Sequence, residues 1–99
     1  MRLADVQQEW SQDGTFADAD GTLVRCYDDV AVLEHARSEP DGNGHHCEIA
    51  AGSTGTVLFY STGDQCWLEL EYELPGRIFG VVEASKTRLA LRNEEKYPR

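Results

Sequence analysis

Between Thr54 and Arg92, four strand-like segments follow one another with links too short to cross a sheet. Thr54–Ser61 runs into "STGD", Cys66–Glu73 into "LPGR" and Ile78–Glu83 into "ASK", and Thr87–Arg92 closes the series. Parallel neighbours need a crossover of roughly a dozen residues or more, so these strands are predicted to be antiparallel neighbours. "ASK" has room only for a single helical turn or a tight loop. A fifth strand precedes them in "VAVLEH", Val30 to His35. Between it and Thr54 lies "ARSEPDGNGHHCEIAAG", Ala36 to Gly52, where Pro40, Gly42, Asn43 and Gly44 crowd together and predict a long irregular loop. One long first loop followed by tight turns predicts a strongly bent meander that closes into a small barrel and so removes its open edges.

Side-chain alternation assigns the faces. In "CWLELEYE", Cys66, Leu68, Leu70 and Tyr72 fall on one side and Trp67, Glu69, Glu71 and Glu73 on the other. The first set is the core side. Leu89 and Leu91 are expected to point inward, and Arg88, Ala90 and Arg92 outward. "IFGVVE" is apolar on both faces, and its Gly80 marks a bend or a close backbone approach. Pro75 and Gly76 suit the two central positions of a type II turn. Gly52 and Gly55 read as backbone devices, one for a turn and one for a bulge or close packing.

Before the fifth strand, Leu3, Val6 and Trp10 have helical spacing up to Gly14, which predicts a short N-terminal helix. Asp20-Gly21 sits between two β-rich pieces and predicts a hairpin turn. The expected organisation is an N-terminal extension over residues 1–27, packed on the barrel or on a partner subunit. A barrel over 28–92 and a polar tail over 93–99 follow it. The start "MRLADVQQEW" has no apolar segment behind its arginine, and no apolar run approaches the roughly 20 residues of a membrane helix. A cytoplasmic protein is therefore expected. The three cysteines, Cys26, Cys47 and Cys66, are odd in number and make no Cys-x-x-Cys pair, which suits a reducing compartment.

The segments "DDVAVLEH", "AGSTGTVLFYS" and "CWLELEYELPGRIFGVVEASKTRLAL" resemble a family of small bacterial proteins grouped as a domain of unknown function. That family runs from a Val-x-Leu strand through a Gly-x-x-Gly-Thr-Val turn and strand to a Glu-bearing strand. It ends in a strand that follows a small polar link, matched by Lys86-Thr87-Arg88-Leu89. The resemblance spans Asp28 to Leu91 and implies a mainly β fold, an SH3-like five-stranded antiparallel barrel. It implies no catalytic residues. The extension Met1–Tyr27 and the long loop "SEPDGNGHHCEIAAG" depart from the pattern. SH3-like barrels often bind proline-rich ligands through aromatics of the first long loop, but Ala36–Gly52 contains no aromatic residue.

Charge narrows the choice of partner. Nine Lys and Arg against eighteen Asp and Glu give a net charge of −9, which repels phosphate backbones and anionic membranes and permits a basic protein partner. No nucleic acid and no membrane are expected as partners. "HHCE", His45 to Glu48, holds metal-ligand residue types, and His35, Cys26 and Cys66 could join it through space. Yet His45, His46 and Cys47 are consecutive, and neighbours in sequence rarely aim at one ion or set a base against a nucleophile. "DADGT" offers Asp18 and Asp20 without the remaining ligands of a calcium loop. "GSTG" leads into a strand with no lysine, unlike a phosphate loop. No metal, cofactor or catalytic residue is assigned.

Trp67, Glu69, Glu71 and Glu73 are the candidate partner-binding residues. Like charges on one strand face repel, unless cross-strand Arg77, Arg88 or Arg92 neutralises them. An aromatic anchor beside carboxylates suits a basic protein surface. The apolar outer side of "IFGVVE" needs a cover, which Leu3, Val6, Trp10 and Phe16 or a second copy of the chain would supply. Three functions follow in order of preference. The first is a non-enzymatic protein-interaction module that binds another protein or itself, with a homodimer or higher oligomer expected. The second is an acidic immunity or antitoxin-type inhibitor of a basic toxin. The third is a small metal-binding protein or enzyme using His45, His46 and Cys47.

Overall fold

The computed structural model describes residues 9–40 and 42–96. The elements in chain order are β1 (Trp10–Ser11), β2 (Phe16–Ala17), β3 (Leu23–Val24), β4 (Asp29–Val32), β5 (Ala36–Arg37) and β6 (Glu48–Ile49). Then come β7 (Thr54–Ser61), β8 (Trp67–Tyr72), β9 (Phe79–Glu83), a 3-10 turn η1 (Ala84–Lys86), β10 (Thr87–Leu91) and a final helical turn α1 (Asn93–Lys96). The fold is mainly β, and every strand pairing is antiparallel. The main sheet runs β10-β4-β7-β8-β9, with β1 added on β7. The three links after β4 and its loop behave as their lengths require, and "ASK" is a single 3-10 turn. Among the described residues, no helix is long and apolar enough to cross a membrane.

β7 pairs with three strands, β4, β8 and β1. Its first half pairs with β4, Asp29 opposite Thr56 and Ala31 opposite Thr54. Its last residues pair with β1, Trp10 opposite Ser61. A register shift between Val57 and Phe59 in the β7–β8 ladder marks a bulge, which increases local twist and bends the strand. Trp10 therefore lies in a strand, where helical spacing predicted a helix. A free β7 edge offers more backbone hydrogen bonds than one isolated helical turn can make. Leu3 and Val6 lie outside the described residues.

Of the inward set, Leu68, Leu70 and Tyr72 are buried with Val30, Val32 and Val57, and Cys66, just before β8, is half-buried against them. Leu89 packs on this core but Leu91 is exposed. A register shift between Leu89 and Leu91 puts Leu91 opposite Asp29 and breaks the period of two, which overturns the inward expectation for Leu91. The long loop is also more ordered than its composition suggests. Ala36 pairs with Ile49 and Arg37 with Glu48, and Ile49 is fully buried. One apolar side chain thus anchors the returning arm.

Two glycines receive one aromatic ring. A Cβ on Gly80 would stand 2.8 Å from Cε2 of Tyr72, and a Cβ on Gly55 would stand 3.3 Å from Cδ1 of the same ring. The bare backbones of β7 and β9 hold Tyr72 between them, which explains both glycines by close approach. The Tyr72 hydroxyl is buried and has no hydrogen-bond partner among the described residues.

Buried carboxylates fasten the N-terminal segment to this sheet. Asp18 Oδ1 accepts the N–H groups of Asp20 and Thr22, both at 2.9 Å, and so forms the β2–β3 turn. Asp18 Oδ2 accepts Leu89 N at 2.8 Å, which ties that turn to β10. Asp28, fully buried, accepts Arg25 N at 2.9 Å and Asn93 N at 2.8 Å. Burial would raise the Asp18 carboxyl, but the N–H donors of Leu89, Asp20 and Thr22 and the Arg88 guanidinium outweigh it and hold the pKa below its ordinary 3.8. "DADGT" is a hairpin turn, as expected for Asp20-Gly21, with Gly21 at φ +80°.

Three outcomes follow from these contacts. Asp18→Ala leaves backbone donors unmet and should lower unfolding free energy by about 2–4 kcal/mol in urea titrations. A carboxylate with a depressed folded pKa stabilises fully above its unfolded pKa and ceases to do so as pH falls through the folded value. Wild type and Asp18→Asn should therefore differ most at neutral pH and converge in acid. Tyr72→Phe removes an unpartnered hydroxyl and should leave stability equal or higher, whereas Gly80→Ala should cost about 1–3 kcal/mol.

Candidate functional site

The outward set of β8 meets its neighbours in strict register. Trp67 lies opposite Glu83 of β9. Glu69 lies between Phe59 of β7 and Val81 of β9, and Glu71 between Thr56 and Phe79. The result is a surface on which carboxylates alternate with apolar side chains. Val81 is 39% exposed, while Trp67, Phe59 and Phe79 are half-buried. Glu73 follows the end of β8, where Thr54 Oγ1 donates to its Oε2 at 2.9 Å. Alternation therefore places Trp67, Glu69 and Glu71 together, with Glu73 at the margin.

Only one of the three candidate arginines reaches this surface. Arg77 Nε is 3.4 Å from Glu71 Oε2, and its guanidinium lies 5.6 Å from the centre of the Phe79 ring. Arg88 instead donates to Asp20 Oδ2 at 2.6 Å, and Arg92 donates to Leu23 O at 3.3 Å. The sheet order explains this, because β10 and β8 are separated by β4 and β7. Arg88 and Arg92 cannot act as cross-strand neighbours of the glutamates, so that expectation is corrected.

A further carboxylate arrives from the long loop. Glu39 N donates to Phe79 O at 2.8 Å, which brings the loop against the start of β9. Burial and then the Glu39 charge raise the Glu69 pKa above its ordinary 4.5. The local field is thus negative enough to be felt by one of its own members. Beside this surface, a concavity of about 220 Å³ has Val32, Ala36, Val82 and Trp67 in its lining, with Glu34 and Lys86 paired at 2.7 Å next to them.

The cover expected for the apolar strands is divided. Phe16 is buried with its ring 5.2 Å from Tyr60, and the Tyr60 hydroxyl donates to Asp13 O. Trp10 is 38% exposed and lies on β1 at the other side of β7 from β8. Phe16 thus covers Tyr60, whereas Val81 stays open.

The "HHCE" residues serve the loop. His46 Nδ1 is 2.7 Å from Ser38 O, and Ser38 Oγ accepts Cys47 N at 2.7 Å. Glu48 pairs with Arg37 at 3.3 Å and with His35 at 3.4 Å. Cys26 is buried on the N-terminal segment, where burial and then Asp13 and Asp28 push its thiol up to about 11. Burial also raises the Cys66 thiol. Among the described residues, no group of three or more His, Cys, Asp or Glu converges as a metal would require.

Sequence patterning found the β8 residues but missed Glu39, Glu34 and Lys86. They come from a loop and a 3-10 turn, where no period reports a facing. The one available signal was the charge of "SEP" in the long loop. Comparison with protein-family models, with curated proteins and with solved structures yields no match.

A carboxyl titration followed by NMR should place Glu69 above the ordinary glutamate midpoint, and Glu39→Gln should bring it down. A raised carboxyl stabilises the fold below its unfolded pKa, and this is lost as pH rises through the folded value. Glu69→Gln should therefore gain stability over wild type at neutral pH and lose that gain in acid. A Glu69 midpoint unaffected by Glu39→Gln would disprove their coupling.

Proposed function

We propose that this chain is a non-enzymatic protein-interaction module, an SH3-like five-stranded barrel with an N-terminal extension, whose outer β8–β9 face engages a basic protein. The strand order supports the barrel assignment. A long loop after β4, a single 3-10 turn before β10 and the return of β10 to β4 give the path of a meander wrapped around one core. Fold alone does not define the task.

The observation that carries the interaction is the lopsided charge on an apolar surface. Trp67, Phe79 and Val81 offer contact area, and Glu69, Glu71 and Glu83 lie among them with Arg77 as the cation at 3.4 Å from Glu71. A partner with Lys or Arg beside an apolar side chain would relieve this repulsion and cover the apolar area at once. A second copy of the same acidic face would add to the repulsion, so the partner is another protein.

Trp67→Ala combined with Glu69→Lys should abolish capture of the wild-type chain's partners from its native host, with the fold unchanged by circular dichroism. Capture should also weaken with rising salt. Equal capture by wild type and double variant would refute the assignment of this face. Light scattering across a concentration series should give a monomer mass throughout; a concentration-dependent dimer would make the chain its own partner.

A further inference from the structure

β9 ends the main sheet and shows an incomplete edge. Tyr72 N donates to Ile78 O at 2.8 Å, and Ala84 N donates to Cys66 O at 2.9 Å. Hydrogen-bonded pairs alternate along an antiparallel ladder, so Gly80 and Val82 direct their backbone groups to β8. Phe79, Val81 and Glu83 direct theirs to the other edge. There Phe79 O is taken by Glu39 N at 2.8 Å. The N–H and C=O of Val81 and the N–H of Glu83 have no hydrogen-bond partner among the described residues. The loop arm that covers Phe79 is tied a second time just beyond β9, where Leu33 N donates to Lys86 O at 2.9 Å. The concavity of about 220 Å³ opens between arm and strand, with Val32, Ala36 and Val82 in its lining.

We propose that this cleft takes an extended basic peptide as an added strand on β9. The proposal rests on the interaction function above and names the form of the partner. Backbone pairing with Val81 and Glu83 supplies affinity, and alternating side chains supply choice. Peptide residues opposite Val81 and Glu83 share their face, the one bearing Glu69 and Glu83, and are basic. The residue between them, opposite Val82, turns inward to Val32 and Ala36 and is apolar. The recognised pattern is thus basic-apolar-basic. Charge selects against an acidic strand, including another part of this chain at net −9.

The probe is the blocked peptide Gly-Arg-Val-Arg-Gly, titrated to millimolar concentration into isotope-labelled full-length protein and followed by amide NMR. The Val81, Val82 and Glu83 amides should shift, and the Val81 and Glu83 amides should exchange more slowly. N-methylation of the arginine amide opposite Val81 keeps the charge, removes the donor to the Val81 carbonyl and should weaken binding by about 10-fold. Absence of shifts at these amides would overturn the proposal. Equal binding of the N-methylated peptide would also overturn it while leaving the face intact, since side chains alone would then carry recognition. Equal binding of Gly-Glu-Val-Glu-Gly would remove the basic preference and with it the proposed function. The same shifts on concentrating the protein without peptide would give the edge to a second copy and refute the peptide.

Discussion

β7 is the constraint from which the rest of this fold follows. Seven of its eight residues pair with β4, β8 or β1, and a bulge bends the strand so that its two halves serve different neighbours. Remove that bend and Leu68, Leu70 and Val30 would lose their common interior. The glycines of "GSTGTV" and "IFG" serve close packing within that sheet. Gly55 and Gly80 let the ring of Tyr72 lie between strands that would otherwise be held apart.

The sheet is completed by polar atoms, and here sequence patterning was weakest. Alternation of apolar and charged residues located β7 to β10, because a strand half-buried in a core leaves a period of two. It could not locate the fastening by Asp18 and Asp28. A carboxylate that accepts three backbone N–H groups has the same letter as one exposed to water, and its donors come from Leu89 and from the turn itself. The error at Leu91 has the same origin, since one extra residue in a ladder inverts the facing of everything after it. Trp10 was misjudged because three spaced apolar residues cannot say whether a neighbouring strand edge lies within reach.

The candidate surface was legible by half. Trp67, Glu69 and Glu71 stand on β8 as their spacing required. Their surroundings depend on strand order, which places Arg77 beside them and Arg88 and Arg92 beyond two intervening strands. Loop residues complete the field. Glu39 reaches it because a backbone hydrogen bond to Phe79 pins the arm against β9, and nothing in local composition encodes that contact. The arm also explains why His46, Cys47 and Ser38 sit together: their hydrogen bonds hold the loop's shape.

The link from Asp18 to Leu89 spans 71 positions in the chain. On the ribosome, residue 18 would be made on the order of several seconds before residue 89, at roughly 5–20 residues per second. During that interval β4 and the β2–β3 hairpin have no β10 to pair with or to be tied to. This contact therefore closes only once nearly the whole described chain has been made.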